Sequence, residues 1–138
     1  MPPRKLPLLT RETRPFWTGG EHGQLLIQRC TCCGLWQHPP LPLCAKCRTE
    51  TAEPQPVSGK GRVTAFTINH EPWVPGLDEA FVFAAVELAE QSELYVFSNV
   101  LGDPASVTSG MPVRVCFEHC EDVWLPLFEA DQEAGDAA

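Results

Sequence analysis

The amino-acid sequence predicts a mainly β protein, in which a short helical arm precedes a cysteine-held ribbon and a five-stranded barrel. Three observations lead to this prediction. Two C-x-x-C pairs lie between Cys30 and Cys47, β-rich segments recur after residue 61, and a stretch rich in proline and glycine separates the two parts. The expected divisions are a helical arm over residues 1–24, a zinc ribbon over 25–55, a barrel over 56–129 and a disordered acidic tail over 130–138.

Charge is distributed unevenly along the 138 residues, whose formal net charge is −8. Residues 1–62 carry nine basic and four acidic side chains, whereas the remainder carries one basic and fourteen acidic side chains. A polyanionic ligand would therefore be attracted to the first part and repelled by the second. No apolar run approaches the ~20 residues of a membrane-spanning helix, and the N-terminus lacks a secretory cleavage pattern. We expect a cytoplasmic protein without a membrane partner.

The predicted arm is rich in proline and basic side chains and contains the aromatic pair Phe16 and Trp17. Gly19 and Gly20 follow the pair and should end any helix. Two roles for the aromatic pair remain open. The rings could dock on their own domain, or they could anchor a partner chain.

The predicted ribbon contains four cysteines that suit a tetrahedral metal site: Cys30, Cys33, Cys44 and Cys47. A two-residue spacer lets each pair present both sulfurs from one turn, and zinc accepts four thiolates. Such a site leaves no open position, so the ion should stabilise the fold rather than activate water. Iron held by the same ligands would instead make a rubredoxin-type electron carrier. Cys32, which lies between two ligands, is interpreted as a bystander.

Residues 48–60 have the composition of a connector, and the module boundary is placed near residue 55. Five strands are predicted after it: 62–70, 81–88, 94–101, 111–118 and 123–128. Five strands in a segment of this length match the small Greek-key barrel known as the OB-fold, and a sandwich fragment is the alternative.

Candidate chemistry outside the four cysteines is sparse. Cys116, His119 and Cys120 suggest a second metal site, but they are interpreted as unrelated barrel residues. The loop after the first barrel strand is unusually apolar, and its Trp73 could cover the barrel or contact a partner. No nucleophile motif, phosphate-cradling loop or dinucleotide fingerprint is present. We therefore expect no catalysis by this chain alone.

Taken together, these features resemble the acyl-CoA-associated OB-fold family, also known as domain of unknown function thirty-five. That family combines an N-terminal helical arm, a rubredoxin-like zinc ribbon and a C-terminal OB-fold. The stretches that carry the resemblance are Pro15–Trp17, Gln28–Gly34, Pro39–Pro40, Cys44–Cys47, Val57–Gly61, Val63–His70, Gly110–Val113 and Leu125–Phe128.

The resemblance implies that the four cysteines bind structural zinc and that the chain is a non-catalytic subunit. Its partner would be a thiolase-fold enzyme acting on acyl-CoA thioesters, such as a steroid side-chain aldolase or a thiolase. Candidate contacts with that partner or with the CoA phosphates are Phe16, Trp17, Arg29, Lys46, Lys60, Arg62 and Trp73. A solvated basic face is the alternative for the basic residues.

Two other function classes stay open at this point. One is a nucleic-acid-binding ribbon and OB module, although the acidic barrel segment opposes contact with a phosphate backbone. The other is the rubredoxin-type electron carrier, which requires iron.

Overall fold

The computed structural model describes residues 7, 9–11, 13–50, 52–69 and 81–131. Within these residues one short helix, α1, spans Arg14–Thr18 and continues into a 3-10 turn over Gly19–His22. A second 3-10 turn covers Pro104–Ser106. The strands are β1 (Leu25–Cys30), β2 (Trp36–Gln37), β3 (Ala52–Val57), β4 (Lys60–Asn69), β5 (Phe81–Leu88), β6 (Tyr95–Val100), β7 (Pro112–Cys120) and β8 (Val123–Ala130).

The ribbon is a three-stranded sheet with the order β2-β1-β3. Strand β3 lies where the composition predicted a connector, so that prediction was wrong for residues 52–57. Pro54 and Pro56 lie in this strand opposite Gln28 and Leu26. A strand tolerates proline at a sheet edge, and alternate residues direct their amides to the same side. Both prolines can therefore face away from β1 without removing a ladder hydrogen bond.

The other five strands form a closed barrel with the order β4-β5-β6-β8-β7, which confirms the predicted fold class. Most neighbours pair antiparallel, whereas β6 and β8 pair in parallel through Val100 and Phe128. The Ser98 hydroxyl of β6 also donates to the Pro126 carbonyl of β8 at 2.6 Å, which adds a contact at this junction.

A register shift in β4 changes the predicted alternation of its side chains. Val63 and Phe66 were expected on opposite faces, but a bulge between Val63 and Ala65 turns both toward the core. Val63 is fully buried and Phe66 packs against the same cluster. An inserted residue shifts the two-residue period of a strand by one position, which explains the difference.

The ribbon and the barrel share one hydrophobic core. Phe16 of the arm and Trp36 of the ribbon belong to the same buried cluster as Val86 and Phe128 of the barrel. The Gln91 side chain joins the two parts as well, because it accepts from the Trp36 amide at 3.1 Å and donates to the Trp36 carbonyl at 2.9 Å. This double contact fixes the orientation of the ribbon on the barrel.

The described part of the chain contains no helix long and apolar enough to cross a membrane. Trp73 and the apolar loop around it lie outside the described residues, as do residues 132–138 of the predicted tail. The last described residue, Asp131, is buried and follows β8 directly. The predicted domain boundaries and the disorder of the tail stay predictions.

Candidate metal centre

The first cysteine pair forms a tight knuckle at the end of β1. The Cys30 amide donates to the Leu35 carbonyl at 2.9 Å, and the Gly34 amide donates to the Cys30 carbonyl at 3.0 Å. Gly34 adopts a φ of 79°, a left-handed conformation that glycine takes without penalty. The turn aims the Cys33 amide at the Cys30 sulfur, 3.4 Å away.

The second cysteine pair repeats the same hydrogen bonds. The Cys44 amide donates to the Thr49 carbonyl at 3.0 Å, and the Arg48 amide donates to the Cys44 carbonyl at 2.9 Å. Arg48 occupies the position of Gly34 and has a φ of 64°. A side chain in this region costs about 1–2 kcal/mol. In this knuckle the amides of Lys46 and Cys47 donate to the Cys44 sulfur at 3.4 and 3.5 Å.

The two knuckles bring the four predicted sulfurs together. Cys30 Sγ lies 3.5 Å from Cys47 Sγ, Cys33 Sγ lies 3.5 Å from Cys44 Sγ, and all four sulfurs lie within 4.8 Å of one another. Zinc–sulfur bonds of about 2.3 Å in a tetrahedron place sulfurs about 3.8 Å apart, so the cluster fits one zinc ion. Four thiolates fill the coordination shell, and the ion would contribute to folding rather than to acid or base chemistry.

Sequence reasoning missed Thr49, whose hydroxyl contacts two of the ligands. Thr49 Oγ1 lies 3.2 Å from Cys47 Sγ and 3.4 Å from Cys30 Sγ. The Thr49 hydroxyl, followed by the Cys33 amide, lowers the pKa of Cys30 to about 5. The same hydroxyl also lowers the pKa of Cys47. These two ligands therefore favour the thiolate form that binds zinc. At Cys33 the Leu35 backbone favours the thiolate, but burial and the neighbouring sulfurs outweigh it and raise the pKa to about 12.

Two of the predicted basic contacts, Arg29 and Lys46, belong to the ribbon. The Arg29 Nε donates to the Gly34 carbonyl at 3.0 Å, and its guanidinium lies 4.7 Å from the centroid of the Trp36 ring. Arg29 thus braces the first knuckle. Lys46 has an exposed side chain beside the second knuckle. A contact of either residue with CoA stays a prediction.

The other two basic residues, Lys60 and Arg62, line a barrel cleft of about 390 Å³. Lys60 Nζ lies 4.0 Å from the buried carboxylate of Asp131, and Arg62 Nη1 donates to the Gly110 carbonyl at 3.0 Å. Glu87 also lines this cleft. Two acidic side chains therefore offset the two basic ones, so the cleft is less favourable to phosphate than the sequence indicated.

The two aromatic residues of the arm make most of their contacts within this chain. Phe16 is buried, packs edge-on against Trp17 with ring centroids 4.7 Å apart, and contacts the His38 ring at 4.5 Å. Trp17 is half-buried and packs against both hydrophobic clusters. This arrangement favours docking of Phe16 on its own domain, and a partner contact through Trp17 stays a prediction.

Strand alternation separates the residues of the suspected second metal site. Cys116 and Cys120 lie on one face of the β7–β8 strand pair, opposite Leu127 and Val123. His119 lies on the other face and stacks on Trp124. In the described ranges, the only cysteine, histidine and carboxylate cluster suited to a metal is the ribbon quartet.

Family comparisons match both parts of this architecture. Residues 17–52 match the rubredoxin-like zinc ribbon domain of ChsH2, and residues 54–118 match its C-terminal OB-fold domain. The chain belongs to the ChsH2 family of zinc-ribbon OB-fold proteins. This result confirms the family resemblance drawn from the sequence, and it indicates zinc rather than iron as the metal of the four-cysteine site.

Two curated relatives carry this module within longer chains. One is the 3-oxo-4,17-pregnadiene-20-carboxyl-CoA hydratase alpha subunit of Mycobacterium tuberculosis, 36% identical over 127 residues. The other is a probable enoyl-CoA hydratase alpha subunit of Thermomonospora curvata, 30% identical over 127 residues. The alignments cover 91% of this chain but only 40% and 39% of the relatives, so the chain spans about two fifths of their length.

Solved structures share the fold. The structure titled Ltp2-ChsH2(DUF35) aldolase contains a chain that is 28% identical, with a TM-score of 0.81, and the alignment covers 91% of this chain and 98% of that one. A DUF35 protein of unknown function from Sulfolobus solfataricus gives a TM-score of 0.60 at 15% identity, over 88% of this chain and 86% of that one. The second likeness concerns the fold alone.

Proposed function

We propose that this chain is a non-catalytic zinc-binding subunit that binds and supports a thiolase-fold enzyme acting on acyl-CoA thioesters. Carbon–carbon bond cleavage, as in an aldolase, is the partner reaction that we favour. The main support for this proposal is the structural alignment with the structure titled Ltp2-ChsH2(DUF35) aldolase, which covers 98% of the matched chain. A chain of such similar extent and fold fits the same accessory role.

The geometry of the metal centre favours a structural role for this chain rather than a catalytic one. Zinc in enzymes that activate water keeps a coordination position open, whereas four cysteine ligands close the shell. The ribbon also shares a core with the barrel, so zinc binding would rigidify the surface that a partner meets. The catalytic residues would then belong to the partner enzyme.

A second candidate is an accessory module of an acyl-CoA hydratase. The observation that favours it is the pair of relatives named as hydratase alpha subunits, at 36% and 30% identity. In this case the partner would add water to an unsaturated acyl-CoA instead of cleaving a carbon–carbon bond. The two candidates share the non-catalytic role of this chain and differ in the reaction of its partner.

Co-expression with any acyl-CoA enzymes that neighbouring genes encode tests the proposal. We expect a thiolase-like neighbour to co-elute with the zinc-loaded chain in size-exclusion chromatography and to cleave its acyl-CoA substrate faster in the complex. Co-elution with a hydratase alone would favour the second candidate. Failure to co-elute with any of these enzymes, or thioester turnover by this chain alone, would contradict the proposed function.

A further inference from the structure

An exposed aromatic pair lies on the outer face of β5 and β6. The Phe83 and Phe97 side chains are 48% and 63% exposed, and their rings stack with centroids 6.3 Å apart and planes 16° apart. Their neighbours Val82 and Val96 point inward and are fully buried or nearly so. The exposure of the two rings therefore follows from regular strand alternation in a well-packed part of the barrel.

The surroundings of the two rings extend this surface. Phe97 pairs with Ala85 across the strands and Phe83 pairs with Asn99, and Leu101 after β6 is 43% exposed. We call these five residues the aromatic face. Four of these five residues are apolar and Asn99 is polar, whereas Glu87, two residues after Ala85 on the same side of β5, borders the face. Most exposed strand faces of a soluble domain are more polar than this one. A largely apolar exposed surface of this kind commonly marks an interaction site.

The charge of the barrel indicates which kind of protein could bind to the aromatic face. The described barrel residues, 60–69 and 81–131, carry nine acidic side chains and three basic ones, Lys60, Arg62 and Arg114. Lys60 lies 4.0 Å from the carboxylate of Asp131. Arg114 is itself paired with Glu129 at 3.1 Å. A second copy of this chain would bring a second acidic barrel close to the first, whereas a partner with lysines and arginines around its docking surface would be attracted.

We propose that the aromatic face is the surface through which the chain docks on its enzyme partner, and that the partner presents an apolar patch rimmed by basic residues. This proposal rests on the proposed function. Aromatic residues, phenylalanine among them, are enriched in the core of protein–protein interfaces. Because both rings are held on rigid strands and against each other, docking would cost them little conformational freedom.

Binding of the enzyme that co-elutes with this chain tests the aromatic face. The variants Phe83→Thr and Phe97→Thr retain a strand-forming side chain. As a control, Leu43→Thr removes an apolar side chain of the ribbon that is 43% exposed. Isothermal titration of the enzyme with each zinc-loaded chain of residues 1–138 should show affinity weakened at least about tenfold for both phenylalanine variants. The Leu43 variant should bind like the unmodified chain. Zinc content and thermal unfolding confirm that each variant is folded.

The outcomes separate the docking surface from the proposed function. Unchanged affinity of folded Phe83→Thr and Phe97→Thr chains would overturn the docking surface and leave the proposed function standing. Absence of any acyl-CoA enzyme that binds the unmodified chain would contradict the function itself. Sedimentation of the chain alone gives a further check, because self-association that Phe97→Thr abolishes would assign the face to a second copy and overturn the proposal.

Discussion

At the scale of single residues, one hydroxyl outside the ligand set contacts two sulfurs of the zinc site. Thr49 follows Cys47 by two residues, and its hydroxyl contacts the sulfurs of Cys30 and Cys47, one from each knuckle. Its backbone carbonyl closes the second knuckle through the Cys44 amide. Thr49 thus links both halves of the site through its backbone and its side chain.

Replacement of this hydroxyl should weaken zinc binding. We expect Thr49→Val to lower zinc affinity roughly 10- to 100-fold, because groups that hydrogen-bond to metal ligands contribute effects of this size. Competition with a chromophoric chelator measures the change. Thr64→Val is the matched control, since it removes a threonine hydrogen bond to the Ala85 carbonyl in the barrel. Equal zinc affinity in both variants would contradict the role of Thr49.

His38 should make stability depend on pH. Burial lowers the pKa of His38 to about 4, whereas an unfolded histidine takes up its proton near pH 6.5. Between these values the unfolded state binds more protons, so the free energy of unfolding should fall as the pH drops from 6.5 to 4. The contribution of neutral His38 to the free energy of unfolding is fully present above pH 6.5. Each unit of difference between the folded and unfolded pKa corresponds to about 1.4 kcal/mol.

Denaturant unfolding across this pH range measures the effect. His38→Phe keeps an aromatic ring beside Phe16 and should flatten the dependence, whereas His22→Gln, at an exposed position, should leave it unchanged. An equal slope for the unmodified chain and the His38 variant would show that other groups cause the pH dependence.

At the scale of elements, the close packing of the arm on barrel strands β7 and β8 depends on a glycine. A Cβ atom at Gly20 would lie 2.6 Å from Cδ1 of Phe117 and 2.6 Å from Cβ of Trp124. The Trp124 Cβ is fixed to its strand, so the arm would have to move. Gly20 therefore permits contact of the arm with the barrel and does not merely end the helix.

Gly20→Ala should destabilise the protein by about 1–3 kcal/mol through this overpacking. Helix propensity alone gives the opposite sign, because alanine is the better helix former. Gly23→Asn is a suitable control, since Gly23 has a φ of 70° that asparagine tolerates and no atom lies within 4 Å of the added Cβ. Thermal unfolding that ranks the alanine variant as equal to or more stable than the parent would refute the packing argument.

Elements with clear periodicity were predictable from the sequence, and elements determined by tertiary context were not. The cysteine spacing predicted the metal site, and alternating apolar residues predicted the barrel strands. Strand β3 was missed because Pro54 and Pro56 disfavour a strand unless the edge position in the ribbon is known. The β4 bulge and the contacts of Thr49 depend on which chain segments meet in space, so no local pattern predicted them.

At the scale of the whole molecule, zinc and the shared core make the ribbon and barrel one unit. Leu25, Ile27 and Trp36 of the ribbon pack into the cluster that fills the barrel. Gln91 adds two hydrogen bonds between the parts. Loss of the metal should therefore disturb more than the knuckles.

Removal of zinc by a strong chelator should abolish hydrogen-exchange protection in β1–β3 and lower the unfolding temperature of the barrel. The two effects should appear together, because the ribbon supplies part of the common core. Addition of zinc in excess over the chelator should restore both. Full protection of β1 in a metal-free chain would show that the ribbon folds without its ion.

The central claim is that the metal site is closed and structural, so that the chemistry belongs to a partner enzyme. Visible absorption of the cobalt-substituted chain during titration with an acyl-CoA thioester tests this claim most directly, because the spectrum reports the ligands of the ion. We predict a tetrahedral four-thiolate spectrum that does not change over the titration. A spectrum altered by the thioester would reveal an open coordination position and contradict the account.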